Sequence, residues 1–407
     1  MFETVLQDLS PFAREFTRHG KQIYLVGGAV RNLLLGRSVK DFDFTTDALP
    51  TEVMTYFRKV LPTGLQHGTV TVLFGGANYE VTTFRVDGTY TDGRRPDGVT
   101  FTPSLEEDLK RRDFTINALA LNLADGSLAD FHGGRADLEC GVIRAIGDPG
   151  QRFDEDALRV LRLFRFASQL GFSVDPPTLA AVEPRRTRLA AVSKERIREE
   201  LLKALGGSRP ELAWGPLHRM GILGDLFPLL APEALSERSL AVLPRVPVDL
   251  RWSFWLTAAC GSKKTLWEKA LRTLTFSNAD LSASLGPPLA LDFLKASAPL
   301  PVMAKAIIEA WGDRTRVGPG CEYLEALEEA GIWIDTLGMK RELTRVRDSG
   351  EPIFVGELAL GGRDLLAAGV PPGPTVGQTL KVLQKEVWAD PALNVSTRLL
   401  GRLPHLR

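Results

Sequence analysis

Two hydrophobic rhythms alternate along the first third of the chain, and a single one follows. "MFETVLQDLSPFAREF" is acidic and amphipathic. "KQIYLVGG" is a short apolar run closed by glycines, the pattern of a buried strand. "AVRNLLLG" predicts a short helix stopped by Gly36. "KDFDFTTD" predicts a second strand, and "LPTEVMTYFRKV" a helix with Pro50 near its start. "GTVTVLFGGANYEVTTFR" alternates on both sides of Gly75-Gly76-Ala77-Asn78 and predicts a hairpin. The stretch from Val86 to Pro103 is rich in Gly, Asp and Thr and reads as a long mobile loop. Loops of that length inside a compact domain are usually functional or disordered. "SLEEDLKRRDF" starts a helix, with Ser104 and Glu107 in capping-box spacing. "ALALNLADGSLADF" predicts another hairpin, turning at Asp125-Gly126.

From about residue 150 the helical rhythm takes over. "DEDALRVLRLFRFASQLGF" predicts one helix, stopped by Gly171 ahead of Pro176-Pro177. "SKERIREELLKALGG" predicts the next, with Ser193 as its cap. Helical patterns continue to the end, with proline-rich breaks near 228–248 and 367–374. The expected fold is α+β: an N-terminal domain with a small mixed sheet, followed by an elongated all-helical remainder.

Composition narrows the class. A chain of 407 residues predicts two to four domains. No apolar run reaches the length of a membrane-spanning helix, so no membrane partner is expected. The N-terminus lacks a basic n-region and an apolar h-region and reads as mature protein. Cys140, Cys260 and Cys321 are far apart, so neither a zinc site nor a disulfide framework is suggested, and the expected compartment is the reducing cytoplasm. The formal net charge is zero. That argues against a surface coated in basic charge and leaves room for a local basic groove.

The chemistry concentrates in a few stretches. Asp41 and Asp43 are two apart on a predicted strand, which puts both carboxylates on one face. Such a pair repels unless a cation sits between them, and magnesium favours carboxylates plus substrate phosphates. The alternative is an exposed strand edge using aspartates for solubility. Gly27-Gly28 at the preceding strand end lets backbone N–H groups approach a phosphate, and Arg31 one turn on can fork onto its oxygens. G-G-x-x-R followed by D-x-D is thus the apparatus of two-metal nucleotidyl transfer. Glu80, in the hairpin's second strand, is either a third catalytic carboxylate or a surface residue on an edge strand. "RRDFTINA" crowds Arg112, Asp113 and Asn117 together. Near a nucleotide, Arg112 would hold ribose and phosphates, with Asp113 fixing its fork; otherwise they form a surface ion pair.

The segment "EDALRVLRLFRF" is apolar nearly all round yet carries Asp156, Arg159, Arg162 and Arg165 at three-residue steps. Its arginines either pair with acidic neighbours in a core, or Asp156 and Arg159 share a face and read a base. Cytosine and adenine both present an exocyclic amino donor beside a ring-nitrogen acceptor, which an aspartate and an arginine match. Uracil and guanine reverse both polarities, and hydrogen-bonding sites reject such mismatches strongly.

Taken together, these motifs resemble the class II tRNA nucleotidyltransferases, the CCA-adding enzymes. Their superfamily is polymerase-β-like, and the family also contains bacterial poly(A) polymerases. The resemblance covers about residues 20–205, through Gly27 to Asp43, "RRDFTINA", Glu155-Asp156-Ala157-Leu158-Arg159 and "SKERIREELLKAL". It implies a catalytic head (1–145), a base-reading neck (146–206), a helical body (207–310) and a tRNA-binding tail (311–407), arranged as a seahorse. It implies a two-ion magnesium site at Asp41 and Asp43, with CTP, ATP and tRNA as partners; no obligate protein partner is expected. Members that add only CC lack the loop after the hairpin, which is intact here. That disfavours a CC-only enzyme without separating full CCA addition from A-only addition; full CCA addition is the expectation, with A-only addition as the alternative and poly(A) polymerase or a non-catalytic RNA-binding relative further off. A dinucleotide-binding oxidoreductase would need G-x-G-x-x-G, which "GGAVRNLLLG" does not supply.

Overall fold

A computed structural model describes residues 2–39, 41–88, 98–230, 236–261, 263–278, 280, 298–332 and 336–403. The chain separates into two compact units, Met1–Ala213 and Trp214–Arg407. The first begins with α1 (Phe2–Arg18), β1 (Ile23–Val26), α2 (Gly28–Leu34), β2 (Asp43–Thr46) and α3 (Pro50–Tyr56). Strands β3 (Val60–Gly64), β4 (Thr69–Phe74), β5 (Ala77–Thr83), β6 (Arg85–Asp87) and β7 (Val99–Phe101) follow. Next come α4 (Leu105–Lys110), β8 (Leu119–Asn122), β9 (Leu128–Asp130) and α5 (Gly134–Cys140). The unit continues through α6 (Pro149–Glu155), α7 (Leu158–Leu170), α8 (Pro176–Ala180) and α9 (Lys194–Leu205).

Seven strands form one mixed sheet in the order β3-β4-β5-β2-β1-β8-β9, in which only β2 and β5 run parallel. Strand alternation sends successive side chains to opposite faces. Leu25, Phe44 and Leu121 pack with Phe12, Phe16 and Phe57 in one core, while Val26 and Ala120 join Phe84 and Leu109 in another. With both faces covered, the sheet is rigid, and the end of β1 and the start of β2 are fixed in space.

Several expectations need correction. The segment "RKV" does not extend α3; the chain turns into β3, an edge strand carrying Pro62. Proline is tolerated at an edge because no ladder donor is needed there, and it hid the strand in the sequence. The stretch 86–103 is not loop throughout, because β6 and β7 pair as an antiparallel ribbon. Its residues 89–97 lie outside the described residues. The helix expected from 154 onward is two helices: Asp156 sits between α6 and α7 in extended conformation, with φ −144° and ψ 105°.

The second unit is helical throughout its described elements. Trp214, Phe227, Trp252, Trp255 and Phe276 pack ring against ring. Buried Lys305 is satisfied by Glu351 at 2.6 Å and by the Trp388 carbonyl at 3.0 Å. No described helix is long and apolar enough to cross a membrane.

Candidate active site

The site is built where β1 ends. Gly27 has φ +68°, which calls for glycine, and a Cβ there would lie 3.2 Å from Arg112 Nη1 and press on that guanidinium. The turn leads into α2, which packs Ala29, Val30 and Leu33 into the core beneath the sheet and buries Arg31, whose Nη1 donates to Asn117 Oδ1 at 2.6 Å. Burial lowers the Arg31 pKa to about 10, with the Asp113 charge opposing, so the guanidinium stays charged at neutral pH.

Asp43 is the first residue of β2, and Asp41 lies two residues before the strand, not within it. Both are exposed. Although its side chain reaches solvent, partial desolvation by the surrounding protein raises the Asp43 pKa, Arg112 pulls it back, and the Asp41 charge pushes it further up. Glu80 is the register partner of Asp43 on parallel β5. Asp41, Asp43 and Glu80 line one cavity of about 720 Å³. Among the described residues, however, no three carboxylate, imidazole or thiol groups converge as a ready metal cluster.

A cavity of about 500 Å³ is lined by every nucleotide-ligand candidate from the sequence: Gly27, Gly28, Arg31, Arg112, Asp113, Asn117, Asp156, Arg159, Arg162 and Arg165. Asp43 lines it too. A neighbouring cavity of about 570 Å³ shares the walls Gly28, Arg31, Asp43, Arg165 and Lys203 and adds Asp41. Asp43 therefore stands on the boundary between the paired carboxylates and the arginine-rich cavity. Glu80 lines neither of these two cavities.

The pairing inside differs from expectation. Asp113 does not fix the fork of Arg112; it accepts from Arg162 Nε at 2.8 Å and Nη2 at 2.5 Å, and from Asn117 Nδ2 at 3.0 Å. Burial would raise its pKa, but Arg162 and those hydrogen bonds hold it well below the ordinary carboxylate range. Arg112 instead lies 3.5 Å from Asp108, which also binds Arg111 at 2.9 Å. Asp108 is fully buried and was overlooked in the sequence. Its signal was there: carboxylate and arginines spaced three and four apart on one helix face.

Arg159 pairs with Glu155 at 2.6 Å and donates to the carbonyls of Arg152 and Arg111, each at 3.1 Å. Asp156 pairs separately with Arg196 of α9 at 2.7 Å. The expected shared helical face does not exist, yet both side chains reach the same cavity. Buried Phe166 lines that cavity with three guanidinium carbons around its ring: Arg165 at 4.2 Å, Arg31 at 5.0 Å and Arg162 at 5.5 Å from the centroid. Three cations on one ring gain from its negative face and repel one another, and Asp113 and Glu200 offset part of that repulsion at Arg162 and Arg165. Arg196 and Lys203 of α9, and Gln169, also line the cavity and were not foreseen.

Comparison with known proteins bears on this arrangement. Residues 23–144 match the poly A polymerase head domain, and residues 171–233 match a probable RNA- and SrmB-binding site of polymerase A. The N-terminal sheet thus lies in the head of a nucleotidyltransferase family. A CCA-adding enzyme of Levilactobacillus brevis is 39% identical over 93% of this chain and 92% of its own length. One of Geobacillus kaustophilus is 39% identical over 96% of this chain and 94% of its own. The Bacillus stearothermophilus CCA-adding enzyme, solved in complex with CTP, superimposes with a TM-score of 0.77 at 33% identity, covering 98% of this chain and 96% of that one. The chain belongs to the family of CCA-adding enzymes. The Thermotoga maritima CCA-adding enzyme, at 20% identity and a TM-score of 0.66, shares the fold.

Proposed function

We propose that this chain adds CCA to the 3′ end of tRNA without a nucleic-acid template, taking CTP and ATP as substrates. The observation that carries this reading is the pair of adjoining cavities: Asp43 stands on their shared wall, Asp41 lines one, and Asp156 and Arg159 line the other. The CTP complex of the similar Bacillus stearothermophilus enzyme supports it. In this reading the head spans 1–145, the neck 146–206, the body 207–310 and the tail 311–407, the last two holding tRNA.

Each residue then has a task. Gly27 and Gly28 let the chain approach the triphosphate closely, and Arg31, Arg162 and Arg165 neutralise it. Arg112 and Asn117 hold ribose and the nearest phosphate. Asp113, acting through Arg162 and Asn117, keeps both in place. Asp156 accepts from the exocyclic amino group and Arg159 donates to the ring nitrogen, a polarity only cytosine and adenine match. Asp41 and Asp43 offer two exposed carboxylates, a donor set that suits magnesium completed by substrate phosphates. The chemistry such ions supply is Lewis acidity at the α-phosphate and a lowered pKa for the attacking 3′-hydroxyl. Glu80, in register with Asp43, supports that pair from the next strand.

The decisive experiment offers a tRNA transcript ending at the discriminator base with CTP, ATP or both, and reads product length. Addition of CC with CTP alone and of A only after CC supports the proposal. Extension only of a transcript already ending in CC would instead identify an A-adding enzyme.

A further inference from the structure

The side chains of Arg196, Glu200 and Lys203 recur at i, i+4 and i+7 along α9, the spacing of one helix face. Glu200 holds Arg165 at 3.0 Å and lies 4.0 Å from Arg162. Lys203 lines both cavities of the site. Arg196 holds Asp156. This last contact has a distinct significance, because Asp156 is not part of a helix. It lies in the extended link between α6 and α7, so no helical rotamer preference fixes its direction.

Two contacts aim it. Oδ1 accepts from the Leu158 N–H at 3.0 Å, and Oδ2 accepts from Arg196 Nη2 at 2.7 Å. Arg159 gives no help, since it is tied to Glu155 and to two carbonyls. A carboxylate has about four acceptor positions, so these two contacts leave acceptor capacity for an incoming amino group. We propose that Arg196 is a specificity-determining positioning residue, which aims the Asp156 carboxylate so that its remaining lone pairs meet the exocyclic amino group of cytosine or adenine. The proposal rests on the base-reading role given to Asp156 above. The competing account makes Arg196 a tie that fastens α9 to the α6–α7 link and nothing more.

The test measures single-nucleotide incorporation with all four triphosphates, alongside melting curves, for the full chain carrying D156A, R196M, R196K and D156A/R196M. Methionine keeps the stem of Arg196 and removes its charge. R196M is expected to lower the ratio of correct to incorrect nucleotide by about tenfold or more, the worth of one charge-assisted hydrogen bond. R196K is expected to recover much of the ratio, and R196M to add no further loss in the D156A background. A collapsed ratio in D156A with an intact ratio in R196M overturns the proposal, as does an additive loss in the double variant. A lower melting temperature with unchanged selectivity also overturns it. If D156A itself keeps the ratio, the base-reading role of Asp156 has failed instead. Should R196M not fold, R196Q, which keeps an N–H donor without the charge, takes its place beside R196K.

Discussion

Asp113 and Arg162 stand 49 residues apart in the chain, and both Nε and Nη2 of the arginine donate to one oxygen of the aspartate. The contact joins the turn after α4 to the middle of α7. It also places the negative charge of Asp113 beside the cations grouped round Phe166.

D113N should therefore destabilise the first unit. Removing one partner of a buried ion pair costs about 3 kcal/mol or more. The pH dependence has a definite sign. The Asp113 pKa is depressed in the folded chain, so its stabilisation is complete above the ordinary carboxylate value of about 3.9 and is lost as pH falls below it. Acid melting curves should show wild type losing its advantage over D113N across that limb. Parallel curves at every pH would contradict this role.

Asp41→Ala and Asp43→Ala should each abolish incorporation of both CTP and ATP while tRNA binding is retained. Chelation of divalent cations should reproduce the loss in wild type, and magnesium should reverse it. Filter binding of tRNA beside incorporation assays separates the two effects. Loss of tRNA binding with residual catalysis would remove these residues from the metal site.

Gly27→Ala should weaken nucleotide binding. A backbone held at φ +68° and ψ −132° costs an L-residue roughly 1–3 kcal/mol, and the added Cβ would meet Arg112 Nη1 at 3.2 Å. The expected outcome is a raised KM for both nucleotides with a modest fall in melting temperature. An unchanged KM would show that Arg112 does not serve the nucleotide.

Shortening residues 89–97 while keeping the β6–β7 ribbon should spare C addition and impair A addition. Arg111 lies 3.7 Å from Asp87 of the ribbon and 2.9 Å from Asp108, and its carbonyl accepts from Arg159. The ribbon is thus two contacts from Arg159, the proposed base reader. Product-length assays with CTP and ATP decide the matter, and equal loss of both additions in a folded variant counts against it.

Changing Asp156 and Arg159 together to Ala should leave a folded enzyme that also accepts UTP and GTP. Each lost charged hydrogen bond is worth about 1.5–3 kcal/mol, so rates with CTP and ATP should fall at least tenfold and selectivity approach about one. A destabilised variant that still refuses UTP and GTP would reduce Arg159 to the ion-pair partner of Glu155.

Local rules determined a good part of this molecule before any folding. The turn at Gly27-Gly28, the stop at Gly36, the hairpin at Gly75-Gly76 and the Ser104 cap on α4 each depend on a few neighbouring residues, and each stands as the sequence implied. The D-x-D pair and the G-G-x-x-R turn are local in the same sense, so the candidate residues could be picked out directly. Pairings across the fold could not. Asp113 sits beside Arg112 in sequence but meets Arg162, because the chain turns after α4 and α7 packs back across the site. Asp156 left its helix because the chain breaks between α6 and α7, where its own carboxylate accepts from the Leu158 N–H. Its partner came from α9, whose face bearing Arg196 and Glu200 carried no signal of its own in the sequence. Only tertiary packing, which brings residues 40 and 35 positions apart within hydrogen-bonding reach, turned that face inward to hold Asp156 and Arg165.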